Sequence, residues 1–147
     1  MEKLEGVNHC DKRMGTALRK EAKEGELGGR RHGALTANAG TTLRSYYRNA
    51  IMNNLNNPEK MRQAMWASFL HCSSTDEEPQ HQQCPDGQSS WCFYNKAVAN
   101  EQQPPPHKQN VGTPMSANVA KAVTPIYGRM SDLNLLNSCS TRPHSKR

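Results

Sequence analysis

The chain has 147 residues, enough for one modest domain, and a formal charge of +6 that favours anionic partners such as nucleic acid. Hydrophobic residues make up only 34%, with Phe69 and Phe93 the only phenylalanines, against ~45–50% apolar in an ordinary globular domain. A generous core is therefore excluded: so little apolar surface hardly offsets ~1–2 kcal/mol of backbone entropy per ordered residue, and help from a metal, a partner or further sequence is expected.

The charged start, Met1-Glu2-Lys3-Leu4-Glu5, leads into no apolar run, which argues against a signal peptide. No window approaches the ~18–20 apolar residues of a membrane span. The expected location is nuclear or cytoplasmic, not secreted. From Val7 to Ala22, Val7, Cys10, Met14, Leu18 and Ala22 recur at about four-residue steps and predict an amphipathic helix. Its other side carries Lys12, Arg13, Arg19, Lys20 and Lys23, interrupted by Glu21 and Glu24. Gly25 and Gly28-Gly29 end it, and Arg30-Arg31-His32-Gly33 reads as a basic flexible loop.

Leu43, Tyr46, Tyr47, Ala50, Ile51 and Leu55 form the cleanest helical face. Asn56-Asn57-Pro58 breaks it, with Asn57 suited to cap the next helix and Pro58 to its first turn, where a missing N–H costs nothing. That helix carries Met61, Met65 and Phe69 and delivers His71 at its end, so the two predict a helical hairpin. Residues 72–113 are dominated by Ser, Asp, Glu, Gln and Pro, with Trp91 to Ala99 as the one short helix and Pro104-Pro105-Pro106 as a stiff spacer. A final helix starts at Ser116 and runs to Met130, kinked or divided at Pro125, with a last turn or two through Leu133 and Leu136. The basic tail, residues 140–147, is expected to be disordered.

The most specific chemistry lies between the hairpin and the proline run. His71, His81, Cys84 and Cys92 are spaced His-x9-His-x2-Cys-x7-Cys, and zinc takes four thiolate and imidazole ligands in a tetrahedron. The two-residue gap lets one turn present His81 and Cys84, and Cys84-Pro85-Asp86-Gly87 is a turn signature. The nine-residue gap matches no standard finger, and on residue type alone Cys72 can replace a ligand. Asp76, Glu77 and Glu78 read either as outer partners of imidazole N–H groups or as a solvated acidic loop. With no secretory leader, the five cysteines read as metal ligands or free thiols rather than disulfides. A thiol–imidazole catalytic pair from Cys84 or Cys92 with His81 has no pocket or oxyanion site to support it.

Lys12-Arg13-Met14-Gly15-Thr16-Ala17-Leu18-Arg19, Gly28-Gly29-Arg30, the two-tyrosine helix and Ser73-Ser74-Thr75-Asp76-Glu77 with His81, Cys84-Pro85 and Ser90-Trp91-Cys92 together resemble the Mutator-like transposase domain proteins common in arthropod genomes. The likeness extends over residues 3–139. It implies a DNA transposase whose nuclease has an RNase H-like core and three carboxylates holding two divalent metals. It also implies a largely helical insertion before the catalytic Glu, and favours His71, His81, Cys84 and Cys92 over Cys72, which lies outside the shared pattern. Gly6-Val7-Asn8-His9 stands where that family has Cys-x-x-His, so Gly6 replaces a cysteine and His9 is a doubtful ligand. The family's catalytic carboxylates find no counterpart in this chain.

The expected fold is mainly α: a helical insertion subdomain of an RNase H-like transposase with long irregular segments, lacking most of the core sheet. Residues 1–139 would form the partial transposase domain, with a metal-binding loop at 71–92 and a Pro-rich linker at 102–114. The expected function is that of a transposase fragment, inactive alone, with structural zinc and weak DNA binding through Lys12, Arg13, Arg19, Lys20, Lys23, Arg30 and Arg31. DNA and other transposase subunits are the expected partners. The alternative is a stand-alone basic DNA-binding or interaction module.

Overall fold

The computed structural model describes residues 2–140; of the tail expected at 140–147, Ser140 instead ends a helix, and the rest lies outside that range. Seven helices occur: α1 (Glu2–Glu24), α2 (Ala37–Met52), α3 (Pro58–Ser73), α4 (Phe93–Ala99), α5 (His107–Asn110), α6 (Ala117–Met130) and α7 (Leu133–Ser140). No strand is present among the described residues, in line with a mainly helical, sheet-lacking fold. None of these helices is long and apolar enough to cross a membrane.

Helix α1 buries the face its periodicity predicts. Val7, Cys10 and Met14 are fully covered and Leu18 almost so. Its left-handed terminal residue is Glu26, at φ 52°, rather than a glycine, and the N–H of Leu27 returns to Ala22 O at 2.9 Å to satisfy the last turn. Gly33 does need its missing side chain. It sits at φ +80°, and a Cβ there would run into the backbone of Ser116, whose N–H donates to Gly33 O at 3.0 Å.

The hairpin of α2 and α3 forms as expected, although α2 stops at Met52 and leaves Leu55 in the turn. Thr36 caps α2 through a 3.0 Å bond from the Ala39 N–H. Asn57 caps α3 through a 3.2 Å bond from the Lys60 N–H, with Pro58 in the first turn. Ser116 caps α6 in the same way. Pro125 does not divide α6, which runs unbroken to Met130.

Helices α1, α2, α3, α6 and α7 surround one core in which Leu43, Ile51, Met61, Met65, Val123 and Leu136 are fully buried. Directed bonds fix how they meet. The Tyr47 hydroxyl donates to Met130 O at 2.9 Å, and Trp66 Nε1 donates to Ser131 Oγ at 3.0 Å. Arg44 reaches Asp11 at 2.8 Å and Arg48 joins the same carboxylate at 3.7 Å, tying α2 to α1. Cys10 and Cys139 are joined as a disulfide between α1 and α7. That corrects the expectation that every cysteine is a ligand or a free thiol. The two lie 129 residues apart, and only the packing of α7 on α1 brings them together.

Candidate metal centre

Three segments deliver the four side chains. His71 occupies the last turn of α3. His81 and Cys84 share one tight turn, closed by a 3.1 Å bond from the Cys84 N–H to His81 O. Cys92 is the N-cap of α4, its sulfur accepting from the Asn95 N–H at 3.5 Å. Turn and helix are clamped by the Asn95 amide, which lies 3.0 Å from His81 O, 3.3 Å from Cys84 O and 3.3 Å from Pro85 O. Ser90 adds a second clasp, donating to Pro85 O at 2.6 Å and accepting from the Cys92 N–H at 3.0 Å.

One ligand atom from each of His71, His81, Cys84 and Cys92 lies within 4.8 Å of the others. Cys84 Sγ is 3.6 Å from His71 Nδ1 and 3.8 Å from His81 Nδ1, and Cys92 Sγ is 3.3 Å from His81 Nδ1. Zn–S of about 2.3 Å and Zn–N of about 2.05 Å at a tetrahedral angle place N and S about 3.6 Å apart. The three N···S distances bracket that value. His81, Cys84 and Cys92 are buried, and His71 is half-buried.

The electrostatics fit the same donor set. Burial, with further repulsion from His71 and His107, pushes the His81 imidazole down to about 4. Burial and then His107 lower His71 as well. Both rings thus offer neutral lone pairs at neutral pH. Burial, followed by the charge of Cys92, drives the Cys84 thiol far above its ordinary value. A divalent cation beside the Cys84 sulfur reverses that penalty. This cluster could hold a metal ion.

Cys72 is not part of it. It is 3% exposed within the helical core, and burial pushes its thiol up to about 12. His9 is exposed on α1. A side chain at Gly6 would run into the carbonyl of Cys139 on α7.

Residues beyond the four ligand candidates surround the cluster, among them Asp76, read from the sequence as a candidate outer partner of an imidazole. His81 turns its other nitrogen, Nε2, to Ser74 Oγ at 3.0 Å and to His107 Nε2 at 2.9 Å. His107 Nδ1 is 2.7 Å from Asp76 Oδ1. His107 comes from the stretch that reads as a spacer, and its side chain is buried on the cluster. A histidine directly after three prolines was the one available signal. Trp91, 57% exposed, lies with its ring 5.0 Å from that of His71.

Lys12, Arg13, Arg19, Lys20, Lys23, Arg30 and Arg31 are all exposed. The five on α1 fall within about 120° of arc at 100° per residue, opposite the buried stripe. Lys12, Arg13 and Lys20 line a groove together with Arg129 of α6, a cation that sequence reasoning did not include.

The model of the Mutator-like transposase family covers residues 1–92, more than half of the 147 residues and all four cluster residues. The chain belongs to the Mutator-like transposase family. No curated protein and no solved structure matches it.

Proposed function

We propose that residues 1–139 form a helical, non-catalytic part of a Mutator-like transposase, pinned by one structural zinc ion held by His71, His81, Cys84 and Cys92. The observation that carries this reading is the buried pairing of two thiols with two neutral imidazoles at tetrahedral spacing. Zinc in such a shell closes four ligand positions and keeps none open for a reacting water, which is the pattern of a structural site. The chain's own residues do the rest: Asn95 and Ser90 shape the ligand turn, and His71 ties it to the helical core. Among the described residues this is the one group of three or more His, Cys, Asp and Glu side chains placed to share an ion. Melting the purified protein with and without a chelator tests the reading. Zinc in thousand-fold excess over its dissociation constant adds about 4 kcal/mol, so the chelator is expected to lower Tm by about 10 °C. Identical melts would contradict a structural metal.

The exposed basic face of α1, with Arg30, Arg31 and Arg129, supports a DNA-facing role. Reversing Arg13 and Lys20 to Glu is expected to weaken retention on duplex DNA and to flatten its salt dependence by about one unit of log–log slope for each phosphate no longer neutralised. Retention that is unchanged by the reversal, or insensitive to salt in the parent, would remove this role. The alternative, a stand-alone DNA-binding module, rests on the same face and predicts full retention after the metal is stripped.

A further inference from the structure

His107 lies beyond the residues that match the family, in the proline-rich stretch, yet it is 6% exposed and sits against a cluster residue. The protons of this pairing can be assigned in turn. Asp76 Oδ1 is 2.7 Å from His107 Nδ1 and also accepts the His107 backbone N–H at 3.1 Å. An ionised carboxylate only accepts hydrogen bonds, so His107 carries a proton on Nδ1 and turns Nε2 to His81 Nε2 at 2.9 Å. Two nitrogens this close share a single proton. A His81 ring that offers the lone pair of Nδ1 to a metal carries that proton on its own Nε2 and donates it to His107 Nε2. Nδ1 is the nitrogen that faces Cys84 and Cys92. Ser74 closes the ring of bonds. Its oxygen accepts the Gln80 N–H at 2.8 Å and lies 3.0 Å from His81 Nε2 and 2.9 Å from His107 Nε2.

The structure assigns to His107, anchored by Asp76, the role of a positioning residue that fixes the tautomer and ring orientation of His81 and so presents Nδ1 to the metal. This rests on the metal reading above and adds to it an outer partner from a distant segment. Two consequences follow. The metal affinity of the cluster depends on a residue outside the cluster, and residues 102–113 are held in place through the histidine that supports it. Asp76 is the outer end of the relay, well exposed at 57% of its side chain, while its three successors along the relay, His107, Ser74 and His81, are buried.

The test uses the full chain and zinc itself. Competition with a chromophoric chelator is expected to show His107→Ala binding zinc 10–100-fold more weakly than the parent, the range usual for loss of a ligand's outer hydrogen-bond partner. His107→Gln, whose amide oxygen can still accept from His81 Nε2–H, is expected to recover part of that loss. A merely structural role would not produce that split between two variants of equal helicity. Long-range ¹H–¹⁵N spectra of the parent, with and without zinc, are expected to show His81 protonated on Nε2 and His107 on Nδ1. A His81 ring protonated on Nδ1, or a folded His107→Ala chain with parental zinc affinity, would overturn the assignment. A parent that takes up no zinc would sink the metal reading, and the tautomers read from that same metal-free sample would still decide the relay.

Discussion

Replacing Cys92 with serine is expected to reduce zinc in the purified protein from about one ion per chain to near zero. The substitution separates two roles of the residue. Cys92 is fully buried with its sulfur in the cluster, and it is also the N-cap of α4. Serine caps a helix well and is nearly the same size, so α4 keeps its start and only the thiolate is removed. The chain then lacks a ligand in a segment with little apolar packing of its own. Amide protection between residues 75 and 110 is therefore expected to fall by more than that of α1, α2 and α6, as read by hydrogen exchange. Cys72→Ala is the matching control. Cys72 belongs to the helical core, so its loss should cost stability while zinc content stays at parental level. Zinc that survives Cys92→Ser and disappears with Cys72→Ala would exchange the two assignments.

Acid is expected to loosen the metal-free protein well above the pH at which carboxylates titrate. His81 has an ordinary value of 6.5 and is held down to about 4, chiefly by burial, and His71 is lowered in the same direction. The unfolded chain therefore takes up protons at these sites before the folded chain does. Stability is fully present above about pH 6.5 and falls progressively as the pH drops toward about 4, where the folded His81 also protonates. One buried imidazole shifted this far contributes on the order of 3 kcal/mol across that window. Denaturant melts of metal-stripped protein at pH 7.5, 5.5 and 4.5 check this. His81→Gln, which carries no titrating ring there, should flatten the dependence. A parent as stable at pH 4.5 as at pH 7.5 would contradict a buried neutral His81.

Local signals in the sequence carried most of the helices. Asn57-Pro58 and Ser116 mark helix starts because capping is decided by the cap residue and its next few neighbours. The stripe of Val7, Cys10, Met14 and Leu18 is legible because burial of one face imposes a 3.6-residue period. The four cluster residues were legible from residue type, and the family likeness separated them from Cys72. What could not be read locally depends on segments far apart in the chain. Asn95 clamps three carbonyls that no pattern marks as unpaired. His107 meets His81 across 26 residues, from a stretch whose composition describes a spacer. The pairing of Cys10 with Cys139 spans nearly the whole chain and has no signature beyond two buried positions on two helices. Pro125 had the opposite outcome. Its local rule forecasts a kink or a break, and the break does not occur: α6 stays continuous with Val123, Ile126 and Tyr127 packed on the core on both sides of it, so tertiary burial outweighs the missing bond.

The measurement closest to the central claim is zinc K-edge X-ray absorption on the intact protein, together with its metal content. One zinc per chain is expected, with about two sulfur neighbours near 2.3 Å and about two nitrogen neighbours near 2.0 Å. A metal-to-protein ratio near zero after purification and zinc resupply, or a shell of light atoms with no sulfur, would contradict it.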